Sequence, residues 1–352
     1  MPERPLVSVI ITNYNYGRYL RRAIDSALRQ TYRPLEILVV DDGSTDESRA
    51  VIESYGNSIR ALFRANGGNA AAYNTGFTAS LGDILLFLDA DDGLYPDAVA
   101  TVVGAWTPQT SKAQFYLDVV DVEERPLGRW TPNLPFLRGG VLSCLFAYGY
   151  YPSAPASGNA YSRAFLASMM PVEERAWQMG VDGLLNGLAA LAGEIVSIER
   201  PLGFYRHHDC NHSEASGASL PKIRRDLLNE VNREAALRGR ATALGRQVPA
   251  GLSLRIPGHC KGRLLSLRLA PALHPFRDDR RWRLVAHGIH ASWRFPHHGL
   301  GKRLGATIGF LGLAVLPVAW LEAHLDLIIV AERRPEWLRG PRTGIRRSPR
   351  AA

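Results

Sequence analysis

Three carboxylates, Asp89, Asp91 and Asp92, fall within four positions directly after the apolar run Leu86-Phe87-Leu88. Carboxylates this close repel one another at neutral pH. A hard divalent cation such as Mg²⁺ or Mn²⁺ relieves the repulsion and keeps coordination positions open for substrate phosphates. The same residues also suit a turn, since Asp92-Gly93 with Pro96 beyond is a turn signature leading into a helix. Metal binding and turn formation both stand as readings of this run alone.

Chemistry at that point needs a scaffold that delivers the acids together, and the first third of the chain supplies one. Residues 7–12 form an apolar run that ends in Asn13-Tyr14-Asn15. Residues 18–30 then place Leu20, Ile24, Ala27 and Leu28 on one helical face. A second strand over 36–40 leads into Asp41-Asp42-Gly43-Ser44-Thr45-Asp46-Glu47, where Ser44 and Glu47 have capping-box spacing and predict a helix from there to about residue 55. A third strand over 59–63, a helix over 70–80 and a fourth strand over 83–88 follow. Strands alternating with helices imply crossover connections and a mostly parallel sheet covered on both faces. Such sheets take ligands at the carboxyl ends of their strands, where Thr12, Asp41-Asp42 and the acidic run all lie.

Composition narrows the function classes. The 352 residues are 46% hydrophobic, enough for a large domain and an appendage. Residues 1–221 carry 17 Lys and Arg against 24 Asp and Glu, a net of −7; residues 222–352 carry 25 against 9, a net of +16. A basic region behind an acidic one suggests an anionic partner, an acidic membrane surface or a phosphate-bearing substrate, and no nucleic-acid module or partner is expected. Cys144, Cys210 and Cys260 form no CxxC pair, which argues against a disulfide framework and fits a reducing compartment. The amino terminus runs straight into a short strand, so no secretory signal peptide is expected. The turn after the first strand, Thr12-Asn13-Tyr14-Asn15-Tyr16-Gly17, holds no GxGxxG, and no GxxxxGK[ST] phosphate loop is found.

With these pieces assembled, the chain resembles a family 2 glycosyltransferase. The matching segments are Val9-Ile10-Ile11-Thr12-Asn13-Tyr14-Asn15, Leu28-Arg29-Gln30-Thr31-Tyr32, Val39-Val40-Asp41-Asp42-Gly43-Ser44-Thr45-Asp46, Asn66-Gly67-Gly68 with Asn74 and Gly76, and Asp89-Ala90-Asp91-Asp92, in the family's order. The resemblance covers residues 5 to about 125 strongly and 125–215 more loosely. It implies an α/β GT-A fold, the Rossmann-like nucleotide-diphospho-sugar transferase fold, with a mixed, mostly parallel sheet flanked by helices and a helical basic C-terminal extension. The implied division is a catalytic domain over 1–220 and a basic helical region over 221–352, with 1–125 as the nucleotide-sugar half and 126–220 as the acceptor half.

The resemblance also implies roles. Thr12, Tyr14, Asp42, Asn69 and Asp89 are the expected nucleotide-binding residues, and Asp91, Asp92 and His208 the expected metal residues, the last from the YRxHxxN-like segment Tyr205-Arg206-His207-His208-Asp209-Cys210-Asn211. An inverting transfer needs a base for the acceptor hydroxyl, and Asp182 in Trp177-Gln178-Met179-Gly180-Val181-Asp182-Gly183 stands where the family places it. Val181 departs from the acid often found just before it. Asp182 also suits a plain N-cap for an apolar helix over 184–191. His207, His208, Cys210 and His212 match no standard zinc spacing, and a loop closing over the donor up to Gly217 is the reading preferred.

Two regions lie beyond the motifs. Trp130, Tyr148, Tyr150 and Tyr151 suit an acceptor groove or ordinary packing alike. Residues 304–321 carry no charge and suit a membrane span, an in-plane helix or a buried one. The expectation is a metal-dependent inverting glycosyltransferase with a Mg²⁺ or Mn²⁺ cofactor. It would use a nucleotide-diphosphate sugar, a UDP-sugar first, and a saccharide or glycolipid acceptor in surface polysaccharide or glycolipid synthesis, in the cytoplasm or at the cytoplasmic face of a membrane. The alternatives are a nucleotidyltransferase, which lacks here its usual Gly-rich loop, and a degenerate sugar-nucleotide-binding subunit of a membrane assembly.

Overall fold

A computed structural model of the chain describes residues 4–208, 219–295 and 298–329. The described residues divide into two compact units, the first holding those up to Val141 and Pro152–His207, the second Leu142–Tyr151 and those from His208 to Ile329.

In the first unit the predicted alternation is present. It runs β1 (Val7–Asn13), α1 (Gly17–Leu28), β2 (Leu35–Asp41), α2 (Ser48–Glu53), β3 (Arg60–Phe63), α3 (Asn69–Ala79), β4 (Ile84–Asp89), β5 (Gly93–Leu94), α4 (Ala98–Gly104), β6 (Thr110–Val120) and β7 (Pro126–Thr131). After α5 (Val141–Tyr148), which passes into the second unit, the first resumes with β8 (Asn159–Ser162), α6 (Arg163–Ala167), α7 (Val181–Ala192) and β9 (Glu194–Arg206). Among the described residues these strands make one sheet in the order β3-β2-β1-β4-β8-β6-β9-β5, with β7 on β6. Strands β1 to β4 pair in parallel, and β8 then turns the sheet antiparallel before β6 and β9 pair in parallel again. The result is mixed and mostly parallel.

The buried strands read as continuous apolar runs because both faces are covered. Val7, Val9 and Ile11 of β1, Leu86 and Leu88 of β4, and Leu20, Ala23 and Ile24 of α1 share one core cluster. On the other face α3 approaches β1 closely at Gly76, where any side chain would collide with the Ile10 methyl.

One predicted start is corrected. The Ser44/Glu47 capping box does not form, and α2 begins at Ser48 with no side-chain cap on Glu47. The Ser44 hydroxyl is drawn instead to the Asp41 carboxylate at 2.5 Å and accepts from the Asn15 backbone N–H at 2.8 Å. Asp46 supplies the helix entry, accepting from the N–H groups of Ser48 and Gly17.

The second unit is helical: after α5 come α8 (Leu220–Ala243), α9 (Pro257–Leu269), α10 (Arg281–Arg294), α11 (Leu300–Val315), α12 (Val318–Ala323) and α13 (Leu325–Ile329). Ile223 and Leu227 of α8, Leu264 and Leu265 of α9, Leu284 of α10 and Phe310 of α11 make its core. Arg263 forms a buried ion pair with Asp279 at 2.5 Å, and His274 Nε2 meets the other oxygen of Asp279 at 3.0 Å, which fastens α9 to the segment before α10.

The span reading of 304–321 is corrected here. The helix stops at Val315 and Pro317 separates it from α12. Its 16 residues rise about 24 Å, short of the ~30 Å hydrocarbon core. Among the described residues no helix is long and apolar enough to cross a membrane.

The close approach of α3 to β1 makes a direct test. Gly76→Val should cost about 1–3 kcal/mol through overpacking and lower the urea midpoint at unchanged m. An unmoved midpoint would mean that α3 does not sit on Ile10.

Candidate functional site

Register brings the predicted residues to one end of the sheet. Thr12 of β1 is level with Val40 of β2 and Asp89 of β4, and Asn13 is level with Asp41. The carboxyl ends of three parallel strands therefore present their polar residues together.

At β2, two adjacent buried acids do different work. Asp41 organises the turn: it accepts from the Asn13 amide at 2.8 Å and from the Ser44 N–H and hydroxyl. Asp42 faces the other way, accepting from the N–H groups of Gly67 at 3.1 Å and Gly68 at 2.7 Å, with Arg64 Nε 3.2 Å away. Burial pushes the Asp42 carboxyl above the ordinary aspartate value in spite of these donors. Gly43, directly after Asp42, takes φ +79°, and a Cβ there would stand 2.6 Å from the Asn66 nitrogen, so only glycine lets this turn close on the Asn66 segment. Thr12 is half-buried and Tyr14 is 44% exposed, free to meet a ligand at the rim.

At β4 the acidic run folds into a tight turn, with the Asp92 N–H donating to the Asp89 carbonyl at 3.1 Å. Asp92 is 1% exposed. One of its oxygens accepts from the Ser157 hydroxyl at 2.6 Å and the other from the Arg206 N–H at 3.0 Å. Ser157 accepts in turn from the Asp89 N–H at 3.1 Å, and Arg206 Nε donates to the Asp91 carbonyl at 2.9 Å. The Arg206 guanidinium is itself held by the Val122 carbonyl and the Glu124 carboxylate. Burial, and after it the Asp91 charge, pushes Asp89 and Asp92 well above the ordinary aspartate range.

Mutual repulsion of this kind is what a hard cation relieves, so the donor set suits one. Among the described residues, however, no three His, Cys, Asp or Glu groups are gathered as a cage. That fits a cation such as Mg²⁺ or Mn²⁺, which takes one or two carboxylates and completes its shell with water and substrate phosphates. Both Asp92 oxygens are engaged by protein donors.

Asp182 lies in the first turn of α7. The N-cap is Gly180 at φ +83°, which corrects the reading of Asp182 as the cap. The start of α7 is tied to the start of α3: Asn69 Oδ1 accepts from the Val181 N–H at 3.3 Å, while the Asn69 and Ala70 N–H groups donate to the Gln178 and Trp177 carbonyls. The side chain of Asn69, expected at the nucleotide, is thus engaged in setting the helix that carries Asp182. Burial raises the Asp182 carboxyl above its ordinary value, and its charge contributes to raising Asp89.

Sequence reasoning missed Lys112, Ser157 and Arg206. Lys112 is fully buried on β6, donating to Gln114 Oε1 at 3.0 Å and to the Ser153 hydroxyl at 2.6 Å. Burial pushes its ammonium well below the ordinary lysine value, against the pull of the Asp182 carboxylate, and its charge in turn favours ionised Asp182. The signal was legible: Lys112 and Gln114 stand two apart in a strand, which puts both on one face.

His208 is buried and opens the second unit, whereas the other expected site residues belong to the first. Cys210, His212 and the loop to Gly217 lie outside the described residues. The aromatic groups expected to line one acceptor groove divide. Trp130 packs on Tyr116 in the first unit, while in the second Tyr150 stacks on Phe295 and Tyr148 lines a cavity with Arg255 and His287.

The family model for glycosyl transferase family 2 matches residues 8–147. An uncharacterized glycosyltransferase of Nostoc sp. is 37% identical over 220 residues, 60% of this chain and 68% of that protein. An uncharacterized glycosyltransferase of Rickettsia prowazekii is 47% identical over 95 residues, 27% of this chain, and the match spans only 30% of that relative. A mannosyltransferase from Pyrobaculum calidifontis, solved in complex with GDP-Man and Mn²⁺, superposes with a TM-score of 0.50 at 16% identity, covering 91% of this chain and 88% of that one; the likeness is one of fold.

Ser157 links two of the acids, which predicts a local stability cost. Ser157→Ala leaves the Asp92 carboxylate and the Asp89 N–H each short of a partner. It should destabilise the protein by about 1–3 kcal/mol in chemical denaturation at neutral pH; a change within experimental error would remove Ser157 from this role.

Proposed function

The chain belongs to glycosyltransferase family 2, and from that premise we propose that it moves a sugar, with inversion, from a nucleotide-diphosphate sugar to a hydroxyl acceptor. The observation that carries the proposal is geometric: strand register brings Thr12, Asp41 and Asp89 to one end of the sheet, and in the same unit Asn69 ties the start of α7, where Asp182 lies, to the start of α3.

In this reading Asp182 takes the proton of the acceptor hydroxyl. The hydroxyl oxygen attacks the anomeric carbon, and the bond from that carbon to the donor phosphate oxygen breaks on the opposite side. Asp89 and Asp91 would hold a divalent cation, whose chemistry is to neutralise charge on the departing diphosphate. Arg206 and Ser157 set the positions of these acids without touching substrate. Asp42, with Thr12 and Tyr14, forms the nucleotide edge. His208 is kept as a metal or diphosphate contact on the resemblance alone. A UDP-sugar is the first donor to test, and the proposed acceptor is a saccharide or glycolipid of surface polysaccharide or glycolipid synthesis.

Two experiments test the assignment. Asp182→Asn should keep the thermal shift produced by nucleotide with Mn²⁺ and lose transfer by roughly 10²–10⁴-fold, the usual worth of a general base. Loss of nucleotide binding as well would assign Asp182 to structure. The base acts only when ionised, and burial raises its pKa. The acid limb of kcat/KM should therefore lie above the ordinary aspartate value of 3.8. Lys112 favours the ionised form, so Lys112→Met should move that limb to higher pH; a limb unmoved or moved downward would uncouple Lys112 from the base.

A further inference from the structure

Helix α11 is apolar on the side that faces water. Leu300, Leu304, Ile308, Leu311 and Val315 are 65, 49, 71, 44 and 66% exposed. With 3.6 residues per turn they fall within an arc of about 80°. The opposite side buries Phe310, Leu313 and Ala314 in the core of the second unit. A helix on a water-facing surface ordinarily shows polar residues there, and a contiguous exposed apolar stripe marks a surface that meets something less polar.

Along the chain, the segment that contains the stripe carries charge of one sign. From Arg280 to Leu321 there is no Asp or Glu, against Arg280, Arg281, Arg283, Arg294, Lys302 and Arg303. Lys302 and Arg303 lie in the first turn of α11. At its other end the guanidinium groups of Arg268 and Arg281 donate to the carbonyls of Leu313 at 2.7 Å and Ala314 at 3.3 Å. Cations therefore stand near both ends of α11. Trp293, 41% exposed, is held beside the helix by its indole N–H, which donates to the Thr307 hydroxyl at 3.0 Å. An amphipathic ring so placed suits the boundary between water and lipid.

We propose that this face of α11 docks on the surface of a bilayer containing anionic phospholipid. The helix lies in the plane of the interface, the stripe enters the headgroup and acyl boundary, and the basic groups meet the phosphates. The charge distribution selects this occupant. A second copy of the chain would bring one cationic rim against another, whereas an anionic bilayer neutralises it and accepts the apolar stripe at once. The length and break of α11 allow it to lie on a bilayer and not to cross one. The inference goes beyond the transferase reading and does not depend on it.

The test uses the full chain and sedimentation with vesicles. The protein should partition onto equimolar phosphatidylcholine and phosphatidylglycerol, less in high salt, and little onto phosphatidylcholine alone. The double variant Ile308→Asp with Val315→Asp, both positions solvent-facing, should keep the melting temperature and lose about tenfold or more in partitioning. The proposal is overturned if the wild type stays in the supernatant with anionic vesicles, binds the neutral ones equally well, or partitions no better than the double variant. It is overturned equally if the wild type is a dimer in solution that the double variant dissolves while neither binds vesicles, because the stripe then belongs to a second copy.

Discussion

A carboxylate removed from water must be hydrogen-bonded or neutralised, and the arrangement of the site depends on how Asp92 meets that demand. Its two oxygens take the Ser157 hydroxyl and the Arg206 N–H, from segments 65 and 114 residues away in sequence. The same two residues hold the Asp89 N–H and the Asp91 carbonyl. One buried acid thereby fixes the stance of the two beside it. Glu124 balances Arg206, so the positive charge that orders the turn does not simply cancel the acids meant for substrate.

Around this turn the unit keeps several charged groups in surroundings that disfavour charge. Asp89, Asp92 and Asp182 are raised and Lys112 is lowered, in every case with burial as the largest cause. Such groups persist where the fold over-determines their positions and where a ligand supplies the missing charge. The Asp42 lock on Gly67 and Gly68 and the Asn69 contact with Val181 serve the same end, because they set the loops and the helix start that bound the site.

The second unit is organised by different physics. Its core is largely aliphatic, its most buried ion pairs, Arg263–Asp279 and Arg233–Glu230, are local in sequence, and the apolar stripe of α11 is left outward. In sequence the two charge signs are segregated, with a net of −7 over residues 1–221 and of +16 over residues 222–352.

Local pattern determined the elements up to β4 to within about two residues, the start of α2 excepted, because apolar runs and helical periodicity are short-range signals. The motifs likewise brought Thr12, Asp41, Asp42 and Asp89 to the strand ends, since parallel strands joined by helical crossovers share a carboxyl edge. What only the tertiary structure decided are the pairings made over long sequence separations. The local pattern makes Ser44 a helix cap, whereas the fold commits its hydroxyl to Asp41 and Asn15, and no local pattern pairs Asn69 with Val181. Lys112 carried a readable signal in its alternation with Gln114, yet its nearness to Asp182 depends on how β6 and α7 pack. The sequence by itself determined which strand ends would gather acids and that the last third of the chain would be basic; only the folded chain decided which of those acids are engaged by protein donors and which face of α11 meets water, because hydrogen-bond partners and burial are set by packing between segments that the local pattern does not relate.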